Sequence, residues 1–195
     1  MPDQPLDPFR LFQDWFAEAR QSEPNDPNAM TLATATPDGV PSARIVLLKG
    51  QDAGGFVFFT NTLSRKGHEL AANRRAALLF HWKSLGRQVR IEGAVEDVTA
   101  AEADAYYATR PRNARLGAWA SLQSQALPER AVLERRLAEA ELMYPDDAIP
   151  RPPHWSGYRV LPAYFEFWRN MPFRLHDRTC YARHETGWTV GKLYP

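Results

Sequence analysis

The sequence predicts a mainly β protein with flanking helices, folded as an antiparallel barrel. Three observations carry this. At Ala29 the spacing of apolar residues changes from a helical period to alternation by two. Between residues 29 and 98 five segments of strand length follow one another. Their connections are short turns, and a single short helical segment interrupts them, whereas a doubly wound sheet places a helix between successive strands.

Taken in order, residues 1–6 hold two prolines and little to bury, and read as a loose arm ahead of a single domain over 7–195. Asp7 is placed to cap a helix over 8–20, with Pro8 at its first position and Phe9, Leu11, Phe12, Trp15 and Phe16 on one face. MTLATAT, the turn PDGV and PSARIVLLKG form a hairpin, and GFVFFTN a third strand. SRKGHELAANRR is a short helix with Ser64 at its N-cap. AALLFHW and RQVRIEGAVEDV supply two further strands. Thr99 caps another helical stretch, which Pro111 interrupts and RNARLGAWAS resumes. Residues 127–143, dense in Ala, Leu, Glu and Arg, predict an amphipathic helix lying on the barrel. After a proline-rich loop come three final strands: GYRVLP running into AYFEFW, FRLHDRTCYAR, and WTVGKLYP.

Composition narrows the function. With 24 Lys and Arg against 23 Asp and Glu, the 195-residue chain lacks the basic excess of a general polyanion-binding surface, so no nucleic-acid partner is expected. Its one cysteine excludes an internal disulfide and a CxxC zinc pair. The five histidines show no HxxxH spacing, so no metal site is expected. No signal-like amino terminus and no long apolar run appear, and a cytoplasmic protein without a membrane span is the expectation. GxGxxG after a strand, GxxxxGK[ST] and the Gly-x-Ser-x-Gly elbow are absent.

What remains is a set of cations and hydroxyls where loops meet strands or helices. If 173–179 is a strand, alternation places Arg174, His176 and Arg178 on one face with no acid among them. Such a face calls for something negative or electron-rich against it, unless it is a solvated edge. Thr60 ends a strand, and Ser64, Arg65 and Lys66 open a helix, where free amide protons and the dipole favour a phosphate. The plain alternative is a capped helix with its basic residues in water. Arg44 and Lys49 are an odd number of residues apart, which on a regular strand sends them to opposite faces. Tyr106 and Arg110 share a helix face and can grip a second anion. Gln88, Gln123 and Ser124 are neutral hydrogen-bonders suited to the edge of a heterocycle.

RIVLLK at 44–49, FFTNTLSRK at 58–66, RQV at 87–89, RPRNARLGAW at 110–119, SLQS at 121–124, and EFW with RLHDR between 166 and 178 occur in an order that resembles the pyridoxine/pyridoxamine 5'-phosphate oxidase family. The resemblance runs from about Asp7 to the carboxyl terminus. It implies an FMN-binding split β-barrel, a homodimer with flavin at the subunit interface, and oxidation of pyridoxamine or pyridoxine 5'-phosphate by O2 with release of hydrogen peroxide. Carried over residue by residue, it implies that Arg44, Thr60, Ser64, Arg65 and Lys66 hold FMN. Gln88, Gln123, Ser124, Trp168 and Arg178 also contact it, some from the partner chain. Lys49, Tyr106 and Arg110 hold the substrate phosphate, and Arg174 and His176 act at the pyridine ring. A flavin oxidase of the same fold working on a phenazine-type ring, and a non-catalytic flavin- or pyridoxal-phosphate-binding protein, are the alternatives.

The chain departs from the family pattern in places. Ala114 stands where a serine is usual, which removes a hydroxyl from the substrate phosphate unless Asn113 or water replaces it. The amino-terminal arm is short, so a lid from that source is not expected. Met171 and Phe173 precede Arg174 where small or polar residues are usual, and Lys192 replaces an arginine near the end.

Overall fold

The computed structural model describes residues 7–195, so the arm expected at 1–6 lies outside the described residues. The first helix, α1 (Pro8–Ser22), is capped by the Asp7 carboxylate, which accepts from the Phe9 amide at 2.9 Å. Its buried face carries Phe12, Trp15 and Ala19. Phe12 lies edge-on to Phe56 and Phe80, at 4.8 and 5.1 Å between ring centres, so α1 closes the core that the curled sheet leaves open.

The strands are β1 (Ala29–Ala35), β2 (Pro41–Leu47), β3 (Gly50–Asp52), β4 (Gly55–Asn61), β5 (Arg75–Trp82), β6 (Arg87–Asp97), β7 (Trp155–Arg169), β8 (Asp177–His184) and β9 (Gly187–Lys192). Their order is β2-β1-β5-β6-β7-β4-β3, with β8 on β7 and β9 on β8, and every pairing is antiparallel. The antiparallel expectation holds. Strand β7 is the spine: β6 runs along it, while β4 pairs with Trp155–Val160 and β8 with Tyr164–Arg169. Pro162 sits at the changeover, where its missing N–H leaves no ladder bond unmade. Gly93 faces it across a bulge, and a Cβ there would lie 1.9 Å from the Leu161 carbonyl oxygen.

The helices are α2 (Arg65–Ala72), α3 (Ala100–Ala108), α4 (Arg112–Ala120) and α5 (Arg130–Met143). Thr99 caps α3, as the sequence predicts, and Glu102 completes a full capping box with it. Among the described residues, no helix is long and apolar enough to cross a membrane.

Three expectations need correction. The helix expected at 127–143 begins at Arg130 and does not lie on the barrel. It packs on α4 through Leu137 and Ala140 against Leu116 and Ile149, and Arg136 Nε donates to the Ala120 carbonyl at 2.6 Å. Its Leu142 and Met143 are exposed, so the amphipathic reading fails too. The short β3 was not expected; it forms because the chain turns back after Leu47 and pairs Gly50–Asp52 with the start of β4. Finally, 173–179 is not one strand. Pro172–Arg174 is a 3-10 turn, Phe173 and Arg174 take left-handed backbone at φ 58° and 62°, and β8 starts only at Asp177.

The aromatic packing around Phe12 makes a direct stability prediction. Phe12→Ala should lower the unfolding free energy by about 3–5 kcal/mol. Urea denaturation of the two proteins measures this.

Candidate functional site

A cleft of about 930 Å³ opens between β2, β4, α3, α4 and the segment after α4. Of the residues singled out from sequence, Arg44, Lys49, Thr60 and Lys66 line it, together with Tyr106, Arg110, Gln123 and Ser124. Arg44 and Lys49 reach the same cleft, contrary to the parity expectation, because β2 ends at Leu47 and alternation ends with it. Tyr106 and Arg110 do converge, though Arg110 lies beyond the end of α3.

Lys66 lines the cleft beside Thr60 and Gln123. Its ammonium donates to Thr60 Oγ1 at 3.1 Å, Ser64 Oγ at 3.2 Å and Gln123 Oε1 at 2.9 Å, and only 8% of the residue is exposed. Among the described residues no carboxylate pairs with it. Burial, and then the nearby positive Arg44, push its pKa down to about 8, against a smaller opposing pull from Glu69. The solvated-cation reading of this segment therefore fails for Lys66. It holds in part for Arg65, which is exposed, lies outside the cleft lining and donates from Nε to Glu69. Ser64 is buried as the N-cap of α2, accepting from Gly67 N and donating to the Asn61 carbonyl.

A second cluster in the lining is aromatic and cationic. Phe59 stacks on Tyr106 at 4.3 Å and on Trp155 at 5.3 Å between ring centres. Lys49 Nζ lies 5.7 Å over the Tyr106 ring and the Arg110 guanidinium 4.8 Å over Trp155. Neither cation has a carboxylate partner among the described residues, and Arg110 Nη1 is buried without a hydrogen bond. Burial lowers the Arg110 pKa, against the pull of Tyr106 and Tyr107. Ala114 lines the cleft here, whereas Asn113 is exposed and outside its lining, so Asn113 is not in place to replace a serine hydroxyl.

The remaining candidates lie elsewhere in the chain. Gln88, Trp168 and Arg178 occupy one row across β6, β7 and β8. The His176 ring sits 4.6 Å from Trp168, and its Nδ1 accepts from the Met171 amide at 3.3 Å. Arg178 is compensated: its Nε donates to Glu166 Oε1 at 2.7 Å, and Arg90 holds the other oxygen at 2.6 Å. The expected run of three cations without an acid is thus broken, by the turn at Arg174 and by a carboxylate from the neighbouring strand. None of Gln88, Trp168, Arg174, His176 and Arg178 lines the cleft.

Sequence reasoning missed Phe59, Trp155, Glu69 and Glu166. The ring stack depends on the β4–β7 register, Asn61 opposite Trp155, which no local pattern reveals. Glu69 had a signal, its i,i+4 spacing from Arg65. Glu166 had one too, as a charge between the buried Phe165 and Phe167.

A structure described as a pyridoxamine 5'-phosphate oxidase-related, FMN binding protein from Nostoc punctiforme superposes with a TM-score of 0.77 at 18% identity, covering 98% of this chain and all of that one. The fold is that of the flavin-binding split barrels. Residues 16–144 match the family model described as pyridoxamine 5'-phosphate oxidase, and residues 155–195 match the pyridoxine 5'-phosphate oxidase C-terminal dimerisation region. The pyridoxine/pyridoxamine 5'-phosphate oxidase of Gluconobacter oxydans is 60% identical over the full length of both chains. That of Caulobacter vibrioides is 60% identical over 97% of this chain and 85% of its own. PhzG from Burkholderia lata 383, solved with tetrahydrophenazine-1-carboxylic acid, has a TM-score of 0.93 at 35% identity, covering all of this chain and 97% of that one. The chain belongs to the pyridoxamine 5'-phosphate oxidase family, whose members are flavin enzymes.

The lowered Lys66 pKa fixes the sign of a pH effect. Between about 8 and the ordinary 10.5 the unfolded chain binds the proton that the folded one has released, so stability rises with pH across that window. Urea midpoints of the flavin-free protein at pH 7.5 and 10 should show the rise, on the order of 2–3 kcal/mol. Lys66→Met should lack it.

Proposed function

We propose that the protein oxidises pyridoxamine 5'-phosphate and pyridoxine 5'-phosphate to pyridoxal 5'-phosphate, with FMN as its flavin and O2 as the final acceptor, giving hydrogen peroxide and, from the amine after hydrolysis of its imine by water, ammonia. The observation that carries this reading is the set of cations Lys49, Lys66 and Arg110, which share one cleft without a carboxylate partner among the described residues. Two anionic groups, one at each cluster, answer that charge. Lys66, with Thr60, Ser64 and Arg65, takes the flavin phosphate, and Gln123 and Ser124 lie beside the cofactor. Lys49, Arg110 and Tyr106 take the substrate phosphate. Bound there, FMN would supply a hydride acceptor for the substrate carbon and a route for the two electrons to O2. The chain's own work is to orient the rings and offset their charge.

The working unit is a homodimer. Trp155, in the cleft, and Trp168, beside His176, are separated by roughly 40 Å along β7. One chain therefore does not wrap both clusters around one small ligand. A second copy supplies Gln88, Trp168 and Arg178 to the flavin, and Arg174 and His176 to the substrate ring. The match of residues 155–195 to a dimerisation region supports this. A phenazine-type ring is the second reading, favoured by the likeness to PhzG.

The purified protein should be yellow, and with pyridoxamine 5'-phosphate in air it should release aldehyde and peroxide in equal amounts. A yellow protein that leaves this substrate untouched sinks the reading and favours the phenazine-type ring or a binding role. Because Ala114 lines the cleft, Ala114→Ser adds a hydroxyl that can donate to the proposed substrate phosphate. KM should fall roughly tenfold, with kcat within about twofold.

A further inference from the structure

Glu69 is buried in α2 and takes four donors. Its Oε2 accepts from Thr34 Oγ1 at 2.5 Å, Ser42 Oγ at 2.6 Å and Arg44 Nη2 at 3.3 Å, and its Oε1 accepts from Arg65 Nε at 2.9 Å. One carboxylate thus ties α2 to β1 and β2 and holds two guanidiniums side by side. Burial pushes its pKa up, but the hydrogen bonds from Ser42, Thr34 and Arg65 and the charge of Arg44 outweigh this and bring it down to about 2. Glu69 is therefore a fixed anion at any working pH.

The two arginines are not held alike. Arg44 spends both terminal nitrogens inward: Nη1 donates to the Leu32 carbonyl at 3.2 Å and to Thr34 Oγ1 at 2.5 Å, and Nη2 to Ser42 and Glu69. It keeps no free fork for a phosphate. Arg65 is tied by Nε alone, which leaves its terminal nitrogens exposed and without a partner among the described residues. A guanidinium pinned at Nε presents its other edge in one orientation, the geometry for bidentate phosphate binding.

We infer that Glu69 is a positioning residue: it aims the free edge of Arg65 at the flavin phosphate, and its bonds to Thr34, Ser42 and Arg44 hold it in place. This refines the expectation that Arg65 holds FMN, and it rests on the flavin reading above. Riboflavin, which lacks the phosphate, separates positioning from general support. Loss of Glu69 should weaken FMN and leave riboflavin alone.

The test measures dissociation constants of FMN and riboflavin for the apoprotein by quenching of flavin fluorescence, in the wild type, Glu69→Ala and Glu69→Gln. Wild type should prefer FMN strongly. Glu69→Ala should weaken FMN roughly 10- to 100-fold with riboflavin within about twofold, because a charge-assisted contact is lost. Glu69→Gln keeps one acceptor oxygen and should fall between, and it carries the test if the alanine variant does not fold. Equal weakening of both flavins, or an unchanged FMN preference in the glutamine variant, overturns the positioning role. A wild type that binds FMN no better than riboflavin overturns the flavin-phosphate reading itself.

Discussion

Strand β7 has only two edges and three partners. Strand β6 takes one edge along its whole length, so β4 and β8 must divide the other, β4 on Trp155–Val160 and β8 on Tyr164–Arg169. A sheet divided this way cannot close into a simple barrel. The changeover falls at Pro162, which has no ladder donor to lose, opposite Gly93, where no side chain fits. The placement of functional residues follows from this division. The first half of β7 brings Trp155 to the cleft, beside Phe59 and Thr60 from β4. The second half carries Glu166 and Trp168 and receives Arg178 from β8. The feature that builds the fold also sends the candidate residues to two separate places, and the proposed dimer is the arrangement in which they meet.

Within that frame the charges sort into two kinds. Arg44 and Arg178 each find a buried carboxylate, Glu69 and Glu166, and act as local anchors. Lys49, Lys66 and Arg110 find none among the described residues. A surface lysine in that position would simply be hydrated. Lys66 is 8% exposed, so water is not what balances it, and its ammonium makes do with two hydroxyls and an amide oxygen. Neutral acceptors leave a desolvated charge uncompensated, and its depressed pKa records that cost. In the proposed complex the flavin phosphate removes the cost, which makes the same residue a weakness of the empty fold and a strength of the loaded one.

The elements with clear local signals were legible: α1 with its Asp7–Pro8 start, the β1–β2 hairpin, and α3 with its Thr99 cap. Local chemistry sufficed because each begins and ends on its own signals. Alternation misled wherever a strand stopped short. Arg44 and Lys49 were assigned to opposite faces of a strand that ends at Leu47, and Arg174 and His176 to a strand that starts after them. The ring stack of Phe59, Tyr106 and Trp155 joins β4, α3 and β7, and nothing near any one of these residues in sequence announces the others. Glu69 and Glu166 show a different limit. Each was visible as an acid, but its meaning depends on which arginine the fold delivers to it.

The turn before β8 brings these threads together. Phe173 and Arg174 both adopt left-handed backbone, a conformation that costs of order 1–3 kcal/mol for each non-glycine residue. Inside one chain little offsets it: Phe173 is 93% exposed, and Met171 and Leu175 beside it are exposed as well. An apolar, strained turn facing outward is poor design for a monomer. It falls within the residues that match a dimerisation region, and it carries Arg174 and His176 at its end. In the proposed dimer the contact that buries this turn is the one that presents Arg174 and His176 to the other cleft. The free energy of association then offsets the strain and sets the residues that meet the substrate ring.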